Sequence, residues 1–295
     1  MSGVGSTEPP NSAGTGSAGA GAGAAGTLLA IDGDSLAHRA YHAMPKSIRG
    51  NGRPANALVG FGGFLIRLWD AEQPESVLVG WDSLETPTYR HEELPAYQSG
   101  REFEDALLEQ LSILPVLTQS FGFAIGKAPG YEADDFLAAA AAAWPGPVTV
   151  VTSDRDAFQL VSDRVTILQP VKGVSELARI GPEEVRARYA VEPEQVPDFI
   201  ALRGDPSDKI PGAPGVGPKK AAEVLKQHGS LEQALADGRF STIADDLRLY
   251  RRIATMDAEA PLPALAPTPP DWRGASAQAA TLGLNALSKR LAERT

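Results

Sequence analysis

The sequence predicts an α/β domain with a mostly parallel central sheet and helices on both faces, followed by a smaller helical subdomain. Three short apolar runs, TLLAID, SVLVGWD and PVTVVTSD, have the Val, Leu and Ile content of strands that are covered on both faces. Longer amphipathic segments such as LVGFGGFLIRLWD lie between them, so strand and helix patterns alternate. A Pro/Gly turn and an Ala-rich helix pattern follow after residue 204.

Composition excludes several classes of protein. The 295 residues include no cysteine, which rules out disulfides, thiolate metal sites and a cysteine nucleophile. No run of about 18 apolar residues is present, so no membrane span is predicted. The net charge of −10 would by itself count against a nucleic-acid partner.

The two ends of the chain differ from its middle. Residues 1–26 are rich in Gly, Ala and Ser and contain no Lys or Arg, which predicts a disordered tail rather than a targeting leader. Residues 261–295 begin with a Pro-rich connector and end in one predicted short helix. Between them we expect the α/β core at 27–204 and the helical subdomain at 205–260.

Carboxylates follow the predicted strands. Each of the three apolar runs ends in an Asp, and the carboxyl ends of parallel strands meet at one edge of a sheet. The stretch GYEADDF adds three more acids immediately before an Ala-rich helix, and GDPSDKIPG adds two. The candidate metal ligands are Asp32, Asp82, Glu132, Asp134, Asp135, Asp154, Asp156, Asp205 and Asp208.

This crowding predicts a metal site. Two carboxylates about 4 Å apart repel by about 4 kcal/mol at an effective dielectric constant near 20, more than a helix macrodipole offsets. Protons or cations must therefore lie among them. Oxygen ligands select hard ions, so we expect two or more Mg²⁺ or Mn²⁺ ions, a set suited to phosphodiester cleavage. The nine carboxylates account for nearly all of the net charge, which no longer excludes a nucleic-acid partner.

A second motif points to phosphate binding. In IPGAPGVGPKKAAEVL, Gly215 and Gly217 permit close backbone approach, and Lys219 and Lys220 add charge at the start of a helix. Such a hairpin binds backbone phosphates without reading bases. An ordinary Gly-containing connection between two helices stays open as the alternative.

Five stretches, in order, resemble the 5′-nuclease (flap endonuclease) family. They are LLAIDGDSLAHRAYHAM, WDSLETPTYRHEELPAYQSGR, APGYEADDFLA, VVTSDRDAFQLVSD and ALRGDPSDKIPGAPGVGPKKAAEVL. The chain is similar in particular to the 5′-3′ exonuclease domain of bacterial DNA polymerase I, here as a stand-alone protein. The resemblance implies a PIN-like α/β core and a helix-hairpin-helix-type DNA-binding subdomain.

The resemblance also implies an activity and partners. It implies a structure-specific, metal-dependent 5′ nuclease, acting on DNA flaps, nicks or primer ends in replication and repair. The single-stranded 5′ end would pass an arch near residues 89–121. A monomer in the cytoplasm, associated with the nucleoid and coupled to a DNA polymerase and a ligase, is expected.

The resemblance also implies roles for individual residues. One ion would bind Asp32, Asp82, Glu132 and Asp134, and a second Asp154, Asp156, Asp205 and Asp208, with Asp135 close by. Arg39 and Arg101 would assist catalysis at the scissile phosphate, and Tyr41 would stack on an unpaired base. K⁺ would bind main-chain oxygens of the Gly215–Gly217 hairpin. The implied DNA contacts are Arg39, Tyr41, Arg90, Arg101, Gly215, Gly217, Lys219 and Lys220.

One departure and two alternatives remain. Gln98 stands where the family usually has Lys, so a positive charge near the reacting phosphate is missing. LLAIDGDS also resembles the strand and Asp-x-Asp motif of haloacid dehalogenase-like phosphatases, with Asp32 as nucleophile and Asp34 as acid. A non-catalytic DNA-binding protein of the same fold is the second alternative.

Overall fold

The computed structural model describes residues 1, 3, 25–83, 85–100, 102–172 and 176–295. The predicted tail at residues 1–26 lies almost entirely outside these ranges. Arg101, an expected phosphate contact, also lies outside them.

The strands of the described chain form one large sheet and one small hairpin. They are β1 (Leu28–Asp32), β2 (Arg49–Gly50), β3 (Arg53–Pro54), β4 (Ser76–Gly80), β5 (Ala124–Gly126), β6 (Val148–Val151), β7 (Val165–Lys172) and β8 (Glu176–Ile180). The large sheet has the order β5-β4-β1-β6-β7-β8, and only β8 pairs antiparallel with its neighbour. The predicted mostly parallel sheet is confirmed.

Helices surround this sheet and continue beyond it. They are α1 (Gly33–Ala43), α2 (Asn56–Glu72), α3 (Tyr89–Glu93), α4 (Asp105–Gln119), α5 (Ala133–Ala143), α6 (Pro182–Tyr189), α7 (Val196–Arg203), α8 (Pro218–His228), α9 (Leu231–Ala236), α10 (Ala244–Ala254), α11 (Trp272–Thr281) and α12 (Asn285–Ala292). Short 3₁₀ helices cover Asp156–Leu160, Pro193–Gln195 and Ser241–Ile243. None of the described helices is long and apolar enough to cross a membrane.

Two hydrophobic cores lie on opposite faces of the sheet. Along β1, Leu28 and Ala30 belong to one core, and Leu29 and Ile31 belong to the other. This alternation follows from the two-residue period of a strand, and burial on both faces explains the continuous apolar runs in the sequence. The first core also contains α5 and the helices from α7 onward to α10, while the second contains α1, α2, α4, α11 and α12.

Close backbone contact fixes the start of α5 against the sheet. A Cβ on Gly80, the last residue of β4, would lie 2.5 Å from the carbonyl oxygen of Ala133, the first residue of α5. Only glycine allows this approach. The acids at the start of α5 are thereby held beside the end of β4.

The end of the chain differs from its prediction. One short helix was expected after the Pro-rich connector, but two are present, because α11 precedes α12. Asp271 caps α11 by accepting a hydrogen bond from the Gly274 N–H at 2.7 Å. Both helices pack on the α/β core, α11 against α4 and α12 against α2.

Candidate active site

Seven of the nine predicted carboxylates line one cavity at the carboxyl edge of the sheet. Its volume is about 450 Å³. The edge is formed by β1 and its neighbours β4 and β6, as the sequence predicted. The seven are Asp32, Asp82, Glu132, Asp134, Asp154, Asp156 and Asp208. Asp205 lines an adjoining cleft of about 1060 Å³, which shares Asp154 and Asp156 with the cavity.

Asp32 is the last residue of β1 and the cap of α1. It accepts hydrogen bonds from the Ser35 N–H at 2.9 Å and from the Thr152 hydroxyl at 2.6 Å. Burial raises the pKa of Asp32 to about 7, and the charges of Asp82 and Asp154 add to the rise. Its carboxylate is therefore positioned firmly but ionises at an electrostatic cost.

Asp34 is a member of this cluster that the ligand prediction missed. It lines the cavity and accepts a hydrogen bond from the Asp82 N–H at 2.7 Å. Burial, followed by the charge of Asp82, raises the pKa of Asp34 well above its usual value. The signal is present in the sequence as the second acid of AIDGDS, the residue that would be the acid in the phosphatase alternative.

The next two acids, Asp82 and Glu132, lie where the end of β4 meets the start of α5. Asp82 accepts a hydrogen bond from the Ala133 N–H at 2.8 Å, which joins the end of β4 to the first turn of α5. The two oxygens of Glu132 accept hydrogen bonds from the hydroxyls of Thr88 and Tyr97, both at 3.0 Å. Burial raises the pKa of Glu132 to about 7, whereas the charge of Arg90 opposes the rise.

The donor set fits a hard divalent ion. Asp134 Oδ1 is buried and accepts no hydrogen bond in the described chain, and the Arg90 guanidinium, 3.7 Å away, balances its charge only in part, so a metal ion would satisfy it. Every predicted ligand offers carboxylate oxygen. As the side chains stand, no three acids or histidines among the described residues are grouped closely enough to hold an ion. Such an ion would complete its coordination with water, as Mg²⁺ usually does in proteins.

The second group of acids follows β6 and α7. Asp154 accepts a hydrogen bond from the Asp156 N–H at 2.9 Å. Burial raises the pKa of Asp156 well above its usual value, and Asp154, Asp208 and Asp205 add to the rise in that order. Asp205 is fixed by the Arg203 guanidinium at 3.0 Å. These four acids therefore form one electrostatic group.

Asp135 does not fit the expected role of metal ligand. One of its oxygens accepts from Arg90 Nη1 at 2.9 Å and from the Glu132 N–H at 3.1 Å. The other accepts from Arg90 Nη2 at 2.7 Å and from the Asp257 N–H at 2.8 Å. A carboxylate has about four acceptor positions, and all are used here. Asp135 is fully buried and does not line the cavity.

Two of the expected DNA contacts have buried side chains. The Arg90 side chain is 1% exposed and paired with Asp135, so its guanidinium contributes to the cavity lining rather than to the outer surface. Tyr41 is 2% exposed, and its hydroxyl donates to Glu104 at 2.8 Å, so its ring does not offer a face for stacking. Arg39 is half-buried, and its Nε donates to the Ser153 hydroxyl at 2.9 Å, next to Asp154.

Gln98, the departure from the family pattern, joins two acidic groups. Its Nε2 donates to the Tyr97 hydroxyl oxygen at 2.8 Å and to Asp208 Oδ1 at 3.3 Å. Since Tyr97 in turn donates to Glu132, this neutral amide connects acids of both groups.

The Gly-rich hairpin precedes α8 on the rim of the larger cleft. Gly215 has a φ of +71°, a conformation that favours glycine, and its carbonyl accepts from the Lys220 ammonium at 2.9 Å. Lys219 lies in the first turn of α8 and lines the cleft with Lys226 and Arg155. Basic side chains thus line part of the cleft that adjoins the acidic cavity.

The fold and the site together define the class of protein. An α/β core carries an acidic cavity, and a helical subdomain with basic side chains lines the adjoining cleft. Models of two families match consecutive parts of the chain. The 5′-3′ exonuclease N-terminal resolvase-like domain matches residues 27–190, and the 5′-3′ exonuclease C-terminal SAM fold matches residues 191–272. The chain belongs to the 5′-3′ exonuclease family. These matches do not support the phosphatase alternative.

Curated relatives agree with this assignment. DNA polymerase I of Mycobacterium tuberculosis is 42% identical over 243 residues, which cover 79% of this chain and 27% of that protein. DNA polymerase I of Deinococcus radiodurans is 38% identical over 224 residues, which cover 75% and 23%. The chain thus spans about a quarter of the length of these relatives.

Solved structures share the fold. The T5 D15 protein co-crystallised with metal ions has a TM-score of 0.65 and 19% identity, covering 90% of this chain and 98% of that one. The catalytic core of Rad2 in complex with DNA substrate has a TM-score of 0.54 and 15% identity, covering 91% and 93%.

Proposed function

We propose that this chain is a divalent-metal-dependent 5′ nuclease that hydrolyses phosphodiester bonds in DNA with a 5′ flap, a nick or a primer end. The observation that carries the proposal is the convergence of seven carboxylates on one cavity, beside a cleft whose lining includes Arg155, Lys219 and Lys226. Membership of the 5′-3′ exonuclease family supports the reaction type. The T5 and Rad2 structures, described with metal ions and with DNA substrate, support the ligands.

The two acidic groups would hold two Mg²⁺ or Mn²⁺ ions. The first group is Asp32, Asp82, Glu132 and Asp134, and the second is Asp154, Asp156, Asp205 and Asp208. When bound, such ions neutralise charge on the reacting phosphate and activate the attacking water. Thr88 and Tyr97 hold Glu132 through their hydroxyls. Arg39, beside the cavity, offers a guanidinium to a phosphate oxygen.

DNA would approach along the larger cleft. Lys219 and Lys220 at the start of α8 would contact backbone phosphates, and Arg101 would contact the phosphate near the scissile bond. Main-chain oxygens of Gly215 and Gly217 would bind K⁺ once the Lys220 ammonium moves from the Gly215 carbonyl to a phosphate. We further propose a monomer that acts in the cytoplasm on nucleoid DNA, alongside a DNA polymerase and a ligase.

A cleavage assay tests the proposed activity. A duplex with a labelled 5′ flap is incubated with the protein in EDTA, in Mg²⁺ and in Mn²⁺. We expect short labelled products with either ion and none in EDTA. Asp134→Asn removes one negatively charged metal ligand at nearly constant shape, so we expect cleavage to fall by at least about 100-fold.

The control is Asp245→Asn, the same substitution at a fully exposed carboxylate in the first turn of α10. It should cleave like wild type. Cleavage in EDTA, or full activity of Asp134→Asn, would contradict the proposal. A gel shift without products in either metal would favour the non-catalytic DNA-binding alternative.

A further inference from the structure

Arg90 is a buried cation that the proposed reaction does not use directly. Its side chain is 1% exposed and forms two parallel hydrogen bonds with the fully buried Asp135. A two-pronged guanidinium–carboxylate pair fixes both distance and orientation, which a lysine cannot do. Breaking such a buried pair leaves an uncompensated charge in the interior.

The pair joins three segments of the chain. Arg90 comes from α3, and its Nε donates to the carbonyl of Ile253 in α10 at 3.0 Å. Asp135 lies in the first turn of α5 and accepts from the N–H of Asp257, which follows α10. The ends of α3, α5 and α10 are therefore tied at one buried point.

This point borders the cavity beside two of its carboxylates, and Arg90 contributes to the cavity lining. Asp135 accepts a hydrogen bond from the Glu132 N–H at 3.1 Å, which fixes the backbone where the chain enters α5. Arg90 Nη1 is 3.6 Å from Glu132 Oε2, and Nη2 is 3.7 Å from Asp134 Oδ1. Those distances are too long for hydrogen bonds but short enough for direct charge attraction.

We propose that Arg90 is a positioning residue. Through Asp135 it orients the first turn of α5, so that Glu132 and Asp134 present their oxygens to the cavity and to a divalent ion there. The inference rests on the proposed function and assigns to Arg90 a role other than contact with DNA.

Arg90→Lys is the informative substitution because it keeps the positive charge and removes the two-pronged geometry. Mn²⁺ binding to the metal-free protein is measured by calorimetry, and DNA affinity is measured in EDTA by fluorescence anisotropy. We expect Mn²⁺ affinity and kcat to fall by about tenfold or more, as is usual when the residues that orient metal ligands are changed. KM and DNA affinity in EDTA should stay within about twofold of wild type.

The matched control is Arg252→Lys. Arg252 also joins α10 to α3, through Glu93, but its side chain is 66% exposed. It should leave Mn²⁺ affinity and kcat unchanged. Circular dichroism and a melting curve establish that each variant is folded.

Different results would overturn the inference. Mn²⁺ affinity and kcat within twofold of wild type in folded Arg90→Lys would show that the pair is only structural. Weaker DNA binding in EDTA would show that Arg90 contacts DNA after all. Should Arg90→Lys fail to fold, Asp135→Asn carries the same test, with the same losses expected. Wild-type protein that binds Mn²⁺ but cuts no DNA would refute the proposed function and leave the positioning role to be judged on metal affinity alone.

Discussion

At the scale of single residues, the acids of the cavity combine firm positioning with electrostatic strain. Asp32 receives two hydrogen bonds that favour its charged form, yet burial outweighs them. Glu132 is likewise held by two hydroxyls and has a raised pKa. The cluster is thus arranged to receive a positive partner rather than to maximise stability alone.

The first prediction concerns pH and the metal-free protein. The pKa of Asp32 is about 7 in the folded state and 3.8 as a free group, so the folded state holds a proton that the unfolded state has released. The stabilisation that this proton gives the folded state is fully present below pH 3.8 and is lost as the pH rises through 7. When the pH is raised from about 5.5 to about 8, ionisation of Asp32 should lower the free energy of unfolding by about 2 kcal/mol.

Urea unfolding in EDTA at the two pH values measures this loss. Asp32→Asn cannot ionise, and its unfolding free energy should fall less over the same interval. An identical pH dependence in wild type and Asp32→Asn would contradict the prediction.

The second prediction concerns Gln98. Its amide lies between Tyr97 and Asp208, where a lysine would place a positive charge beside the cavity. We expect Gln98→Lys to raise the single-turnover rate of flap cleavage by about tenfold, since charge at a reacting phosphate stabilises the transition state. Gln98→Met, similar in length but without charge, is the control and should not gain. An unchanged rate in Gln98→Lys would show that another cation already supplies this charge.

At the scale of elements, glycines shape the loop that carries Asp205 and Asp208. The Asp205 and Ile210 backbones exchange hydrogen bonds in both directions at 2.8 Å, which closes a tight turn between α7 and α8. Gly204 and Gly212 lie side by side at its base with φ of +78° and +73°. The two ends of the loop can come this close because neither glycine has a side chain, and the closed loop thereby positions Asp205 and Asp208.

The third prediction follows from this geometry. A Cβ at Gly212 would lie 2.4 Å from the Gly204 nitrogen, and that backbone atom has no freedom to retreat. We expect Gly212→Ala to lower the unfolding free energy by about 2 to 4 kcal/mol through strain and overpacking. Denaturant unfolding measures the loss.

Gly229→Ala is the matched control. Gly229 ends α8 with a similar φ of +82°, but no described atom lies within 4 Å of the position that a Cβ would take there. It should lose only about 1 kcal/mol, the cost of the left-handed conformation alone. Equal losses in the two variants would show that the close contact at Gly212 has no energetic weight.

Elements of regular pattern were predictable from the sequence, whereas partners distant in sequence were not. The edge formed by β1, β4 and β6 follows from three apolar runs that each end in Asp. The pair of Arg90 with Asp135 could not be inferred, because it joins residues 45 positions apart whose sequence pattern equally suits surface charges. The hydrogen bond from Tyr41 to Glu104 likewise joins two segments that are distant in sequence. Helix α11 was missed because its small residues show little amphipathic pattern.

At the scale of the whole molecule, the two C-terminal helices complete the core that includes α2 and α4. Leu287 and Leu291 of α12 are buried there, as are Ala275 and Ala279 of α11. The predicted division at residue 261 separates them from the core by sequence, but they pack with it. They should therefore contribute to the stability of that core.

The fourth prediction measures this contribution. Leu291 is 0% exposed, so we expect Leu291→Ala to lower the unfolding free energy by about 2 to 5 kcal/mol. Leu108→Ala is the control, since Leu108 on α4 is 39% exposed and should lose less than about 1 kcal/mol. Tryptophan fluorescence in urea reports both. Equal losses would mean that α12 is only loosely attached.

The path of the chain through these helices has a consequence for where DNA would be cut. The chain leaves the sheet at β8, forms the helical subdomain and returns, and hydrogen bonds from Thr268 to Glu75 and from Asp271 to Phe121 anchor the return. The subdomain is therefore held at both ends and shares a hydrophobic core with the sheet. In the proposed nuclease, the subdomain would hold the bound duplex at a fixed distance from the cavity, so that a constant number of nucleotides separates the duplex from the bond that is cleaved.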